Sequence, residues 1–182
     1  MRRGTRQALF TIVILALCVC GCGYTSRSLL PAEFKSIYVE NFSNMISVAA
    51  ETSDARMYRG YRPGMEIGIT RAVIDRFLLD GNLKIARADD ANLVLKGELM
   101  DFVQESLQYD ANNNVEEYRI RLVVKLELKD AKTGKSLWRE SNFAGESTYR
   151  ATGALAKSEN TGIEEAIEDL ARRVVERTVE GW

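Results

Sequence analysis

Histidine is absent from this chain, and its three cysteines, Cys18, Cys20 and Cys22, all lie close to the N-terminus. Without imidazole, neither Ser-His-Asp nor Cys-His catalysis can be assembled, and zinc centres built on His and Cys are excluded. A mature chain beginning at Cys22 also has no partner cysteine for a disulfide. Only carboxylate or Ser-Lys chemistry remains open. The adjacent acids Asp89 with Asp90 and Glu116 with Glu117 are the obvious carboxylate pairs. Neighbouring residues of a strand point to opposite faces, however, so these read as solvated charges flanking strands rather than as an acid and its base. The stretch Gly60-Tyr61-Arg62-Pro63-Gly64 is a turn signal and lacks the Gly-Lys-Ser/Thr sequence that cradles phosphate. No catalytic residue, metal ligand or cofactor is expected.

The N-terminus carries the first positive signal. Arg2, Arg3 and Arg6 form a basic n-region, Ala8 to Val19 an uncharged core too short to span a bilayer comfortably, and Gly21 the small residue a signal peptidase requires. Val19-Cys20-Gly21-Cys22 resembles a bacterial lipobox. Leu17 and Val19 are too large for the cleavage pocket, which disfavours Cys18 and Cys20 and leaves Cys22 as the lipidated residue. Residues 1–21 are then a signal peptide, 22–31 a lipidated tether and 32–182 one domain. Several acyl chains hold such a protein firmly at its membrane. Gly23 follows the lipid cysteine, and the absence of Asp there resembles the sorting pattern for the outer membrane.

Removing Arg2, Arg3 and Arg6 leaves 22 basic and 26 acidic side chains, a formal net of −4. This balance excludes a nucleic-acid binder acting by charge. No later stretch is apolar enough to cross a membrane as a helix.

Phe34 to Asn41 reads as a first strand, and Ser43 to Pro63, with no steady period, as a long loop or insertion. Met65, Ile69, Ala72, Val73 and Phe77 recur at helical spacing over Met65 to Asp80. Ile67, Ile74 and Leu78 widen the apolar arc, so much of this helix is expected to be buried, and Gly81-Asn82 ends it. A short strand, Leu83 to Ala86, follows. Leu93, Leu95 and Leu99 line one face of the next strand, with Gly97 marking a bulge or close approach. After the polar loop Asp110 to Asn114, the residues Tyr118, Ile120, Leu122, Val124, Leu126 and Leu128 alternate with Arg119, Arg121, Lys125, Glu127 and Lys129. One face of that strand is core and the other is wet. Asp130 to Lys135 turns the chain, and Leu137 to Thr148 returns beside it.

The last element is a helix. Thr161 with Glu164 makes a capping box, Ile163, Ala166, Ile167, Leu170, Val174 and Thr178 form the apolar face, and Glu168/Arg172 and Asp169/Arg173 pair outside. The fold predicted is α+β: a two-layer sandwich with both helices on one face of a mostly antiparallel four-stranded sheet. Its order is β-α-β-β-β-α, with one further short strand, and the first strand should run parallel to the one after the first helix.

Taken in order, Gly21-Cys22-Gly23-Tyr24, Ile37 to Phe42, Asp90 to Gly97, Glu117-Tyr-Arg-Ile120 and Thr133 to Trp138 resemble the LptE family of lipopolysaccharide-assembly lipoproteins. The resemblance covers most of the mature chain. It implies two helices on a four-stranded sheet and no enzymatic activity. It also implies a plug inside the outer-membrane β-barrel LptD, supporting that barrel's folding and the delivery of lipopolysaccharide to the outer leaflet. The protein would be lipid-anchored on the periplasmic side. Arg119, Arg121 and Lys125 are then candidates for contact with the barrel lumen or the phosphates of lipid A; taken singly, each reads first as a solvated strand residue paired to a cross-strand acid such as Glu98. The 43–63 segment is longer than the resemblance implies. An alternative class, CsgG-like or peptidoglycan-synthase-activator-like lipoproteins, combines a lipobox with an α/β domain and acts through a periplasmic partner or self-association.

Overall fold

The computed structural model describes residues 30–47, 52–53 and 56–181. The signal peptide and the lipidation at Cys22 lie outside the described residues. Eight strands form one mixed sheet: β1 (Ser36–Val39), β2 (Ser43–Asn44), β3 (Thr52–Ser53), β4 (Met57–Arg59), β5 (Lys84–Ile85), β6 (Leu93–Tyr109), β7 (Val115–Asp130) and β8 (Ser136–Arg150). Two helices, α1 (Met65–Asp80) and α2 (Glu159–Glu180), pack against each other and against the sheet. The α+β architecture and both helices are as the periodicity predicts.

The sheet itself departs from the four-stranded, mostly antiparallel expectation. Strand β6 is its spine. One flank of β6 pairs antiparallel with β7 over nearly its whole length, and β7 in turn pairs antiparallel with β8. The other flank is shared by three short strands: β1 and β2 run parallel to it, β4 antiparallel. Strand β1 also pairs in parallel with β5, across the α1 crossover. The 43–63 segment, read as a loop, thus contributes β2, β3 and β4. Strands of two or three residues are too short to show an alternation; the free flank of β6 brings β2 and β4 into a ladder, and β3 pairs antiparallel with β4.

The core forms where alternation predicts it. Ile120, Leu122, Val124, Leu126 and Leu128 of β7 and Leu93, Leu95 and Leu99 of β6 have no exposed surface. They meet Ile69, Val73 and Phe77 of α1 and Ala166, Leu170 and Val174 of α2. The register slips between Leu99 and Asp101, leaving Met100 without a partner on β7, so Phe102 and Gln104 continue the inner face beyond the bulge. Gly97 is a close approach. A Cβ there would lie 2.1 Å from the Phe42 ring, which fills the space above the strand.

Two details of the helices are corrected. Ile67 and Leu78 do not widen the buried arc of α1: they are 70% and 62% exposed. Helix α1 rests on β1, β5 and Phe42, whose N–H donates to Thr70, and has α2 on one side, which leaves Ile67 and Leu78 toward solvent. The α2 cap is Ser158 rather than Thr161. Its Oγ accepts the Thr161 N–H at 3.1 Å, so Thr161 takes the third helical position and Glu164 plays no part in a capping box. Ser158→Ala should therefore cost about 1 kcal/mol, readable as a lower urea midpoint, whereas Glu164→Ala should leave the midpoint nearly unchanged.

Strand β8 is a long edge, and α2 guards its middle. Arg173 Nη1 donates to the Ala144 carbonyl at 2.6 Å, and the Glu146 N–H donates to Asp169 Oδ2 at 3.1 Å. Side chains from the helix thereby occupy backbone groups that a further strand would use. Outside this contact Arg172 pairs with Asp169 and Glu176, not with Glu168.

Candidate functional site

The outer face of the sheet is a ladder of opposite charges. Alternation along β7 sends Arg119, Arg121 and Lys125 to the face away from the helices, and each meets an acid on a neighbouring strand. Arg119 lies 4.0 Å from Glu105, Arg121 Nε 3.2 Å from Glu146, and Lys125 Nζ 3.0 Å from Glu98. Further along the same face Glu127 receives Arg139 at 2.6 Å and Lys129 at 3.3 Å, and Arg59 of β4 pairs with Asp101 at 3.2 Å. Partial burial pulls the Glu127 carboxyl upward, yet hydrogen bonds from Arg139, Ser136 and Lys129 together hold it below its usual value. The three cations named from sequence do share one face, and all three are compensated.

Exposed pairs of this kind contribute about 0.2–1 kcal/mol each. A carboxylate or phosphate from another molecule could therefore replace a strand glutamate at little cost, and Arg119, with the longest separation, would exchange most readily. Val94, Val103 and Val123 interrupt the charges on this face, in register with Lys129, Arg121 and Asp101.

A second cluster gathers at the far end of β6, where β4, the start of β7 and the N-terminus of α2 converge. Arg62 forms an ion pair with Glu159, and its guanidinium lies 5.5 Å from the Tyr58 ring and 5.4 Å from Phe102. Beside it Gln104 Nε2 donates to the Tyr149 hydroxyl at 2.7 Å, and Tyr149 stacks on Tyr118 with ring centroids 5.4 Å apart. Tyr58, Arg62, Gln104, Tyr118 and Glu159 line a recess of about 300 Å³. Sequence reasoning saw in Gly60 to Gly64 only a turn. It missed Arg62 because two of its three partners, Phe102 and Glu159, come from distant segments, and the one local hint was a lone Arg among aromatics.

Burial pushes the Tyr149 hydroxyl up to about 12, with the nearby Glu159 charge adding to the effect and the Gln104 hydrogen bond opposing it. The sign follows from which state ionises first. Below the ordinary value of 10.0 the tyrosine is neutral in both states; between there and about 12 the unfolded chain ionises and the native one does not, so stability falls as pH rises through that window. Tyr149→Phe should lower stability at neutral pH by about 1 kcal/mol, through the lost hydrogen bond, while flattening the alkaline decline in urea titrations.

Among the described residues no group of three or more Asp or Glu is placed to hold a metal ion. Asp89 and Asp90 sit exposed in a turn, and Glu116 and Glu117 point to opposite faces of β7. No helix among the described residues is long and apolar enough to cross a membrane.

Comparison with curated proteins returns no significant match. Several solved structures are similar in outline. The rare lipoprotein B from Shewanella oneidensis shares 23% identity over 78% of this chain and 92% of its own, with a TM-score of 0.45. A minor lipoprotein from Acinetobacter baumannii shares 16% over 81% and 92%, with a TM-score of 0.47. The PelC dodecamer from Paraburkholderia phytofirmans shares 15% over 85% and 94%, also at 0.47. These are likenesses only, and none carries functional weight. The model of one family, LptE, described as lipopolysaccharide-assembly, matches residues 34–178, from the start of β1 almost to the end of α2. Matched across all but the margins of its folded domain, the chain belongs to the LptE lipopolysaccharide-assembly family, whose members are non-enzymatic lipoproteins.

Proposed function

We propose that the protein is anchored to the periplasmic side of the outer membrane through lipid on Cys22, and there plugs an LptD-type β-barrel. In that position it supports folding of the barrel and assists insertion of lipopolysaccharide into the outer leaflet. The observation that carries this reading is the outer sheet face. A plug needs a surface matched to a polar lumen, and this face is a three-strand ladder on which Arg119, Arg121 and Lys125 are each paired with an acid. Arg119, Arg121 and Lys125 would contact the lumen wall or lipid A phosphates by exchanging their glutamate partners.

The test is affinity purification of the lipidated protein from detergent-solubilised outer membranes, with mass spectrometry of what accompanies it. A stoichiometric β-barrel resembling LptD is expected. A peptidoglycan synthase, or self-association alone, would overturn the plug and favour the alternative class. The anchor has its own test: Cys22→Ala should abolish palmitate labelling and leave the precursor uncleaved. Normal labelling and fractionation of that variant would refute the assignment of Cys22.

A further inference from the structure

The C-terminal turn of α1 ends in two adjacent leucines that the fold leaves outside. Leu78 is 62% exposed and Leu79 80%. Neither continues the buried row of Ile69, Val73 and Phe77, and the helix stops directly after them at Gly81, whose N–H still bonds the Phe77 carbonyl. Two large apolar side chains side by side at a helix end make a local apolar spot, whereas Leu155 is exposed singly.

The position of these leucines is set by the ladder. The Lys84 N–H donates to the Lys35 carbonyl at 3.0 Å, and Ser36 pairs in register with Lys84. Leu79 is five residues before Lys84, so its backbone can be no more than about 17 Å away along the chain. Phe34 directly precedes Lys35 and lines a recess with Asn92 and Asp130, so the chain enters the domain at this same end, with Leu30 and Phe34 packed against the core. Seven residues, 23–29, separate Leu30 from Cys22. Even fully extended, that length keeps the domain's start within about 28 Å of the lipidated residue.

We infer that Leu78 and Leu79, at an end of the domain that stays outside the barrel lumen, rest in the acyl boundary of the same phospholipid leaflet that holds the lipid of Cys22. The inference rests on the lipidation reading, since the short tether is what brings this end to the membrane. Lys35 and Lys84, exposed at the same end, suit the headgroup level, where a long stem lies along apolar surface and the ammonium reaches water. Glu33 and Asp80 share that end, so net charge does not drive the contact; apolar insertion does. Two leucines alone would bind a free protein weakly. A domain already tethered to the surface meets it at high effective concentration, so a small apolar contact is enough to set its orientation.

Leu155 provides the internal control. It is 74% exposed, as apolar as Leu79, and lies beyond the end of β8. Strand β8 starts in line with the start of β6, and its 15 residues at about 3.3 Å each carry the chain to the opposite end of the sheet. A docked α1 turn keeps Leu155 away from the lipid.

The experiment uses full-length protein purified from outer membranes, with acylation of Cys22 verified by mass spectrometry. A bimane fluorophore is attached at Leu79→Cys or, separately, at Leu155→Cys, since the lipidated Cys22 does not react. Each is reconstituted into phosphatidylethanolamine/phosphatidylglycerol vesicles containing brominated acyl chains. Quenching at position 79 is expected to exceed that at 155 severalfold. Acylated protein whose two labels are equally unquenched would overturn the inference while leaving the anchor intact. Shielding of position 79 from aqueous iodide without quenching by bromolipid would assign the turn to a protein partner and also overturn it. Protein without acyl groups on Cys22 would instead remove the reading on which the inference rests.

Discussion

Leu122→Asp should abolish folding, whereas Lys125→Asp, three residues along the same strand, should leave a folded protein. Leu122 has no exposed surface and lies on the inner face of β7 between Phe102 of β6 and Gly145 of β8. The substitution removes a buried aliphatic side chain, which alone costs about 2–5 kcal/mol. It also brings a carboxylate into the buried apolar core, so the group must either protonate or force water inward. The sum is at least about 4 kcal/mol, against a typical domain stability of about 5–15 kcal/mol. Lys125 faces outward. Its replacement by Asp puts like charges opposite each other at the register pair Glu98/Lys125, a loss of about 1 kcal/mol. Circular dichroism melts of the two proteins in detergent would decide it. Equal loss in both would mean that the two faces of the sheet are wrongly assigned.

The second large effect is expected at Gly145. A Cβ built on it would lie 2.4 Å from Leu170 Cβ, and 2.6 Å from both the Ala166 carbonyl oxygen and the Leu170 nitrogen. Two of these atoms belong to the backbone of α2, so relief requires moving the helix and not merely turning a side chain. Gly145→Ala should therefore cost about 2–3 kcal/mol, at the upper end for overpacked sites. It should also weaken the guard on the β8 edge, because the Arg173 and Asp169 contacts depend on how close the helix sits. Gly97→Ala makes a useful comparison. Its clash is with the Phe42 ring alone, which can tilt, so the loss should be smaller although the nominal contact is shorter. Thermal melts ranking Gly97→Ala as the worse of the two would show that α2 adjusts more easily than the ring does.

How much of this was legible in the chain depends on whether the signal was local. The alternation from Tyr118 to Leu128 fixed both faces of β7, because a period of two admits only one burial solution for a one-sided sheet. Turn chemistry placed the hairpins. Asp110 accepts from the backbone of Asn112 and Asn114, Asp130 does the same for Lys132 and Thr133, and Gly134 adopts a φ of 69°. The α2 cap was misplaced by three residues. Ser158 and Thr161 both suit the position, and only the path of the chain out of β8 chooses between them. The cations Arg119, Arg121 and Lys125 were legible as a face, but the acids that compensate them come from β6 and β8, and two of the three were unforeseen. The Arg62 cluster was invisible, since its members stand far apart in sequence.

By itself, then, the sequence determined what rests on covalent pattern and short period. It specified a chain without imidazole, with its cysteines confined to the N-terminus, two amphipathic helices, two long strands with one apolar face each and a third returning beside them. Only the tertiary structure decided what β6 does with its second flank. Strands of two or three residues have no periodic signature and little stability alone, and they exist because a long central strand presents unpaired backbone groups to them. The same holds for the exposed end of α1. Helical spacing identifies every apolar position on that helix, but burial depends on what the neighbours cover, and here they cover Phe77 and leave Leu78 and Leu79 bare.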